Sequence, residues 1–469
     1  MLGNFGANYL DGRGGADRLI GLAGDDTYIV GDAGDSVVEA ANGGNDIVFA
    51  RIGWALSAGA QVETLATYEL SATDAIYLIG NEFGQDLLGN FGANYLDGRG
   101  GADRAIGLAG DDTYIVGDAG DSVVEGANGG NDIVFARIGW QLTAGAHVET
   151  LSAYELGATD AIYLIGNELG QDLLGNFGAN YLDGGGGDRL IGLAGDDTYI
   201  IGDVGDSIIE AAGGGNDAVY SRVSWQLSAG AHIETLAAYD LGATNNVYLI
   251  GNEFDQDLLG NFGANWLDGR GGIDRLIGLG GDDTYIIGDA GDSVVEAANG
   301  GNDAVYARVS WTLSAGAQVE TLATYEFGAT DAIDLVGNEF GQDVIGNEGA
   351  NRLDGGAGAD RLIGLGGNDQ FAFTTALGGG NIDQILAFAV GGDTILLDDA
   401  VFSGLGLGAL AAGAFNTGST ALDADDRILY DAATGALYFD ADGAGGAAAV
   451  QFATLGTGLA ITANEFTVI

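Results

Sequence analysis

The 469-residue chain carries 68 acidic and 14 basic residues, and its net charge of −54 excludes nucleic acid and anionic lipid as partners, because both are polyanions. Apolar residues make up 47% of the sequence, too many for a disordered acidic tail, so the chain can bury a core if cations neutralise its carboxylates. The absence of cysteine excludes disulfides and thiolate metal sites, and no apolar run approaches the roughly 18 residues of a transmembrane helix, so we expect no membrane insertion.

A long internal repeat organises most of the chain. The string L-G-N-F-G-A-N-Y-L-D-G begins at Leu2, recurs at Leu88 and returns nearly intact at Leu174 and Leu259. A period of about 86 residues with this fidelity indicates an array of stacked units that share one core. The predicted divisions are repeat 1 (1–86), repeat 2 (87–172), repeat 3 (173–257), repeat 4 (258–343), a partial repeat 5 (344–371) and a C-terminal domain (372–469).

A nine-residue unit recurs within each long repeat. From Gly80 the chain reads G-N-E-F-G-Q-D-L-L, G-N-F-G-A-N-Y-L-D, G-R-G-G-A-D-R-A-I and G-L-A-G-D-D-T-Y-I. Glycine stands first and usually fourth, a side-chain oxygen usually sixth, and an apolar residue eighth. Residues Gly355–Ile363, G-G-A-G-A-D-R-L-I, fit the pattern G-G-x-G-x-D-x-U-x completely. That pattern resembles the RTX (repeats-in-toxin) family of calcium-binding nonapeptide arrays.

The resemblance implies a right-handed parallel β-roll in which two nonapeptides make one turn. Residues 18 apart would then stack one strand spacing apart, about 4.8 Å, which pairs Asp17 with Asp35 and Asn8 with Asp26. Ca²⁺ prefers six to eight oxygen ligands, and glycine lets the backbone turn its carbonyls toward such an ion. We therefore predict Ca²⁺ as the cofactor, with about one to three ions per copy.

The predicted metal ligands are the sixth-position residues of the nonapeptides and their neighbours. In the repeats they are Asn8, Asp17, Asp26, Asp35, Asp46, Asn94, Asp103, Asp112, Asp121, Asn180, Asp188, Asp197, Asp206, Asn265, Asp274, Asp283, Asp292, Asn351, Asp360 and Asp369. The alternative is that glycine-rich Asx turns close the β-arcs through hydrogen bonds alone. Position two departs from the family pattern, since it holds Arg13, Leu22, Arg99 or Leu108 where the pattern has glycine.

The remainder of each copy reads as short strands, so we expect the solenoid to continue through wider coils. Tryptophan and arginine recur here at the long period, as Trp54, Trp140, Trp225 and Trp311 with Arg51, Arg137, Arg222 and Arg308. We interpret the tryptophans as packing residues rather than sugar-stacking platforms, and the arginines as partners of neighbouring carboxylates. We expect Glu63, Glu149, Glu234 and Glu320 to be solvated or paired with arginine.

Residues Gln370–Ile469 are phenylalanine-rich and lack the long period. They resemble the terminal domain of type I-secreted proteins, and Glu465–Ile469 resembles an uncleaved C-terminal secretion signal. The N-terminus shows no secretory signal pattern, and Met1 falls within the array. Asp440 and Asp442 have the spacing of a calcium loop, with a plain β-turn as the alternative. We also expect this domain to cap the open end of the solenoid.

No catalytic pattern stands out. The two histidines, His147 and His232, align with Gln61 and Gln318 in other copies, which argues against a catalytic base, and we expect no enzyme activity. The sequence predicts an all-β solenoid protein, secreted through type I machinery, that folds on Ca²⁺ and forms a surface-layer, filament or matrix component by homo-assembly or by adhesion to a cell surface. The alternative is the secretion and folding region of a larger secreted enzyme or toxin.

Overall fold

The computed structural model describes every residue, Met1–Ile469, and the chain forms two compact units. Unit 1 comprises residues Met1–Val223 and Gly230–Ile233, and unit 2 comprises Ser224–Ala229 and Glu234–Ile469. Each unit consists mainly of strands of two to five residues, separated by glycine-rich turns. A helix with the length and apolar character needed to cross a bilayer is absent from the structure.

Unit 1 contains strands β1 to β23. In chain order they are Tyr9–Asp11, Arg18–Ile20, Thr27–Val30, Ser36–Val38, Ile47–Ala50, Trp54–Ala55, Thr64–Thr67, Tyr77–Ile79, Asp86–Leu88, Tyr95–Asp97, Arg104–Ile106, Thr113–Val116, Ser122–Val124, Ile133–Ala136, Trp140–Gln141, Thr150–Ala153, Tyr163–Ile165, Asp172–Leu174, Tyr181–Asp183, Arg189–Ile191, Thr198–Ile201, Ser207–Ile209 and Ala218–Ser221. Odd-numbered and even-numbered strands belong to different sheets, and all pairings between them are parallel. Unit 1 is therefore a parallel β-solenoid with two strands per turn, as predicted.

The turns of the solenoid vary in length. Where nonapeptides follow one another the register advances by 18 residues, as from Tyr9 to Thr27. Beyond them Thr27 pairs with Ile47, Ile47 with Thr64, and Thr64 with Asp86, so the turns contain 20, 17 and 22 residues. The predicted wider coils are confirmed.

Each long repeat contributes nine strands, an odd number. Equivalent strands of successive copies therefore lie in different sheets. Tyr9 lies in a seven-stranded sheet and Tyr95 in a nine-stranded sheet of unit 1. A residue that recurs every 86 positions consequently does not form one continuous row in this unit.

Unit 2 contains strands β24 to β47 and two 3-10 turns, Ala412–Ala414 and Ala463–Glu465. Its strands are Trp225–Gln226, Thr235–Ala238, Tyr248–Ile250, Asp257–Leu259, Trp266–Asp268, Arg275–Ile277, Thr284–Ile287, Ser293–Val295, Ala304–Ala307, Trp311–Thr312, Thr321–Thr324, Leu335–Val336, Asp343–Ile345, Arg352–Asp354, Arg361–Ile363, Gln370–Phe373, Asp383–Leu386, Thr394–Leu397, Gly408–Ala409, Phe415–Thr417, Ile428–Asp431, Ala436–Phe439, Val450–Thr454 and Phe466–Val468. Up to β41 (Thr394–Leu397) the pairings are parallel, so this unit is also a solenoid.

The C-terminal residues cover the end of this solenoid. The last strand, β47 (Phe466–Val468), adds in parallel to β41, and β46 (Val450–Thr454) adds to β40 (Asp383–Leu386). Antiparallel pairing of β46 with β45 and of β45 with β44 closes a small sheet packed around Phe402, Phe439 and Phe452. The backbone groups of β40 and β41 are thereby satisfied, which confirms the predicted cap.

The eighth position of each nonapeptide supplies the core. Leu19, Leu87 and Leu96 occupy it and are fully buried, because the side chain at the centre of each short strand points into the solenoid. Tyr28 is an exception in chemistry but not in position, since it is equally buried and brings a hydroxyl group into the core. That hydroxyl requires a hydrogen-bond partner inside the protein.

Candidate metal sites

The sixth-position side chains stack as predicted and form columns along the edges of each solenoid. The backbone N–H of one sixth residue donates to a carboxylate oxygen of the sixth residue one turn later, as from Asn8 to Asp26 Oδ1 at 2.6 Å and from Asp103 to Asp121 Oδ1 at 3.0 Å. Further rungs of this kind join Asp17 to Asp35, Asp26 to Asp46, Asn94 to Asp112, Asp112 to Asp132, Asn180 to Asp197, Asp188 to Asp206, Asn265 to Asp283, Asp274 to Asp292, Asn351 to Asp369 and Asp360 to Asp383.

Glycine at the first position makes room for these carboxylates. An added Cβ at Gly98 would lie 2.1 Å from Asp103 Oδ2, and at Gly355 it would lie 2.3 Å from Asp360 Oδ2. The second position is left-handed, with φ of 90° at Leu22 and 68° at Arg99. The departure from the family pattern noted in the sequence therefore retains the turn but strains it, since a side chain at positive φ is unfavourable.

Asparagine and glutamine at the sixth position are satisfied by a second amide. Asn94 Oδ1 accepts from the N–H of Asn90, and its amide nitrogen donates to Asn90 Oδ1 at 2.9 Å. Gln85 makes the same pair with Asn81. The equivalent pairs join Asn180 to Asn176, Asn265 to Asn261 and Asn351 to Asn347, and Asn8 Oδ1 accepts from Asn4. The structure thus gives these amides a role that needs no cation, and their assignment as metal ligands stays a prediction.

Aspartate at the same position leaves one oxygen without a partner. Oδ2 of Asp103, Asp274 and Asp360 is buried and accepts no hydrogen bond. Burial raises the pKa of Asp103 and of Asp274 to about 7, because the charged form loses its hydration. Asp188 differs, since one residue is missing from its turn and its Oδ2 accepts from the N–H of Gly186 at 2.9 Å.

The aspartates that follow in the column close turns instead. Asp35 Oδ2 accepts from the N–H groups of Gly31 and Asp32, at 3.0 and 3.1 Å. The equivalent carboxylates of Asp121, Asp206 and Asp292 make the same two bonds. One oxygen of Asp35 also accepts from Asp17, so both of its oxygens have partners.

Three carboxylates converge at a second kind of place, once in each full copy. Asp26, Glu39 and Asp46 are buried, and one oxygen from each lies within 4.8 Å of the other two. The buried Tyr28 hydroxyl donates to Glu39 Oε2. The same groups recur as Asp112, Glu125 and Asp132, as Asp197, Glu210 and Asp217, and as Asp283, Glu296 and Asp303. We call these four groups the Asp–Glu–Asp triads.

The triads hold negative charge in an apolar surrounding. Oδ2 of Asp112 and of Asp132 has no hydrogen-bond partner. Burial raises the pKa of each of these aspartates to about 7, and burial also raises the pKa of Glu125, with the neighbouring carboxylates adding to the effect. Three acidic groups this close, with oxygens that nothing in the protein satisfies, are stable as carboxylates only with a cation between them.

Sequence reasoning found part of each triad. Asp26 and Asp46 were predicted as ligands, whereas Glu39 and the counterparts of Asp46 in later copies were missed. The signal was available in Tyr28, because a tyrosine at the core-facing eighth position requires a buried acceptor. Asp383 and Asp393, which accept from Asp360 and Asp369, were also missed because they lie outside any nonapeptide.

The recurring tryptophans and arginines have structural roles, as interpreted. Trp54, Trp140 and Trp311 are buried. Arg137 pairs with Asp97 at 3.1 Å and lies over the ring of Tyr154, 4.5 Å from its centroid. The equivalent arginine ion pairs join Arg51 to Asp11, Arg222 to Asp183 and Arg308 to Asp268.

The expectation for the recurring glutamates was wrong. Glu63 is neither solvated nor paired with arginine, because its Oε2 accepts from the backbone N–H of Asp46 at 2.7 Å. Glu149 and Glu320 do the same for Asp132 and Asp303. These glutamates extend the sixth-position column by one rung beyond each triad.

The C-terminal candidates form a turn. Asp440 Oδ1 accepts from the N–H of Asp442 at 3.2 Å, and Asp442 Oδ2 accepts from Gly446 and Ala447. These backbone bonds lower the pKa of Asp442, the bond from Ala447 most. The alternative of a plain turn is what the hydrogen bonds support, and calcium binding at this loop stays a prediction.

The donor set fits calcium. Ca²⁺ takes oxygen ligands from carboxylates and carbonyls, and the oxygens without partners at Asp26, Asp46, Asp103 and their counterparts are such donors. The family profile described as RTX calcium-binding nonapeptide repeat matches residues 2–38, 79–114, 250–285, 259–295 and 336–371. No curated protein sequence matches the chain. The chain therefore carries RTX calcium-binding nonapeptide repeats, on which both of its solenoid units are built.

Proposed function

We propose that the protein is secreted, folds when it binds Ca²⁺ outside the cell, and then serves as a structural or adhesive component of a surface layer, filament or matrix. The observation that carries the proposal is the set of buried carboxylate oxygens that accept no hydrogen bond. RTX repeats are typical of proteins exported by type I secretion, and low calcium inside the cell suits export of an unfolded chain.

Charge couples binding to folding in this proposal. The chain has a net charge of −54, and the fold brings carboxylates together in columns and triads. Repulsion among them opposes compaction, and the neutralised form is the compact one. Ca²⁺ supplies the positive charge, and because its sites exist only in the folded chain, binding free energy becomes folding free energy.

A structural or adhesive role is supported by exposed aromatic side chains that recur with the repeat. Phe91, Phe177 and Phe262 are 50%, 52% and 55% exposed, and Phe5 is exposed as well. Exposed apolar side chains that recur on a surface are typical of contact sites. The histidines support no catalytic role, since the copies that lack them carry glutamine at the same position. We therefore propose that the protein is not an enzyme.

Sedimentation velocity tests the assembly. The chain is expected to sediment as a larger species in millimolar Ca²⁺ than in chelator plus salt. The combined variant Phe91→Ser, Phe177→Ser and Phe262→Ser should stay monomeric in Ca²⁺ with unchanged β content. Val204→Ser is the matched control, because Val204 is exposed but the other copies carry alanine at this position. A parent chain that remains monomeric in Ca²⁺ would contradict homo-assembly and favour the alternative of a secretion and folding region.

A further inference from the structure

The four triads differ from the nonapeptide columns in composition and in burial. Each contains a glutamate and a second aspartate that lie outside the nonapeptides, in S-V-V-E or S-I-I-E and in N-D. All twelve carboxylates are at most 4% exposed. The columns, in contrast, present pairs of aspartates of which one closes a turn with both of its oxygens, as Asp121 does.

The triad leaves an enclosed space bordered by oxygen atoms. The position of an added Cβ at Gly21 lies 2.1 Å from Asp26 Oδ2, 2.1 Å from the Tyr28 hydroxyl and 2.6 Å from Glu39 Oε2. Asp26 Oδ2 and Asp46 Oδ2 are buried without a hydrogen-bond partner. Equivalent glycines approach the same aspartate and tyrosine oxygens at Gly107, Gly192 and Gly278. Glycine at this position therefore keeps open a space surrounded by donors suited to a hard cation.

The chain contains its own comparison in the partial fifth copy. Tyr28, Tyr114, Tyr199 and Tyr285 each accompany a triad. In the fifth copy Phe371 stands in the tyrosine position, and Asp369 has only Asp393 as its rung partner, with no glutamate in the cluster. The hydroxyl and the glutamate are thus lost together while the strand and its buried ring are kept. A purely structural use of the ring would not require that link.

We propose that the four Asp–Glu–Asp triads are a separate class of buried calcium site, four per chain, in which the tyrosine positions the glutamate. The proposal rests on the proposed function in that the chain must bind Ca²⁺. The tyrosine O–H directs Glu Oε2, and the adjacent N–H of Ala40 holds Glu39 Oε1 at 2.8 Å, so the carboxylate is fixed before an ion arrives. Enclosure predicts slow exchange of these four ions, whereas ions at the column edges exchange quickly.

The test counts ions that stay bound. The folded chain, saturated with Ca²⁺, is passed through a desalting column containing chelator, and the retained Ca²⁺ per chain is measured by atomic absorption. The parent should retain four ions and Glu125→Gln three, while Glu155→Gln, an exposed glutamate of the same copy, should retain four. Tyr114→Phe, which copies the chain's own Phe371, should lose the ion of that copy more rapidly than the parent.

Circular dichroism of each variant in Ca²⁺ verifies that it is folded, and Tyr114→Phe provides a second variant if Glu125→Gln does not fold. Terbium luminescence sensitised by tyrosine gives an independent reading, and Tyr114→Phe should reduce the slowly exchanging signal by about a quarter. Retention of the same number of ions by the parent and by Glu125→Gln would overturn the triad assignment while leaving calcium-dependent folding intact. A parent chain that binds no Ca²⁺ before desalting would overturn both proposals.

Discussion

Replacement of Asp112 by asparagine measures what a buried carboxylate does to this fold with and without metal. Burial raises the pKa of Asp112 from 3.8 to about 7. Because the folded-state pKa is the higher one, the metal-free fold loses stability as the pH rises from about 4 to about 7. At about 1.4 kcal/mol per pH unit, the loss is about 2 kcal/mol at pH 5 and about 4 kcal/mol at pH 8. An asparagine does not ionise and escapes this loss.

In chelator, Asp112→Asn should therefore melt at a higher temperature than the parent, and the difference should grow between pH 5 and pH 8. In saturating Ca²⁺ the sign should reverse, because the variant has lost a charged ligand. Thermal unfolding followed by tryptophan fluorescence measures both. Asp111→Asn is the matched control, since Asp111 is exposed and its Oδ1 accepts from Asn131, which an asparagine also permits. A variant that is less stable than the parent under both conditions would refute the reasoning.

Three further substitutions have expected outcomes. Arg99→Gly should raise the unfolding free energy in Ca²⁺ by about 1 kcal/mol in urea denaturation, because φ at this position is 68°. Gly107→Ala should lower the melting temperature in Ca²⁺ and weaken calorimetric Ca²⁺ binding, since its Cβ would lie 2.0 Å from Asp112 Oδ2 and 2.2 Å from the Tyr114 hydroxyl. Arg137→Ala should cost about 1 kcal/mol of stability, with less loss in high salt, because it removes a partly exposed ion pair and a cation–π contact.

The repeated part of the fold was predictable because its signals are local. First-position glycine, sixth-position oxygen and eighth-position leucine fix turn, edge and core within nine residues, and Leu19 and Leu96 lie where that pattern places them. The stacking of Asp17 with Asp35 followed from the 18-residue turn and is confirmed. The wider turns were predicted only in outline, since no nine-residue pattern sets their length.

The metal sites were less predictable because they combine residues from unlike segments. Glu39 lies 13 residues beyond Asp26 and joins it only through the 20-residue turn that pairs Thr27 with Ile47. The sequence also gave no means of separating aspartates with free oxygens from those that close turns, since Asp103 and Asp121 occupy the same position of the pattern. Which residue accepts which N–H depends on loop geometry that composition does not encode.

Far-ultraviolet circular dichroism of the demetallated chain tests the central claim most directly. The chain is stripped of metal, checked by atomic absorption, and titrated with Ca²⁺ at constant ionic strength. The account predicts little β signal without Ca²⁺, a cooperative gain on its addition, and no such gain with an equal charge concentration of Na⁺. A demetallated chain that keeps the full β signal and the same melting temperature would show that the carboxylate columns and triads need no cation.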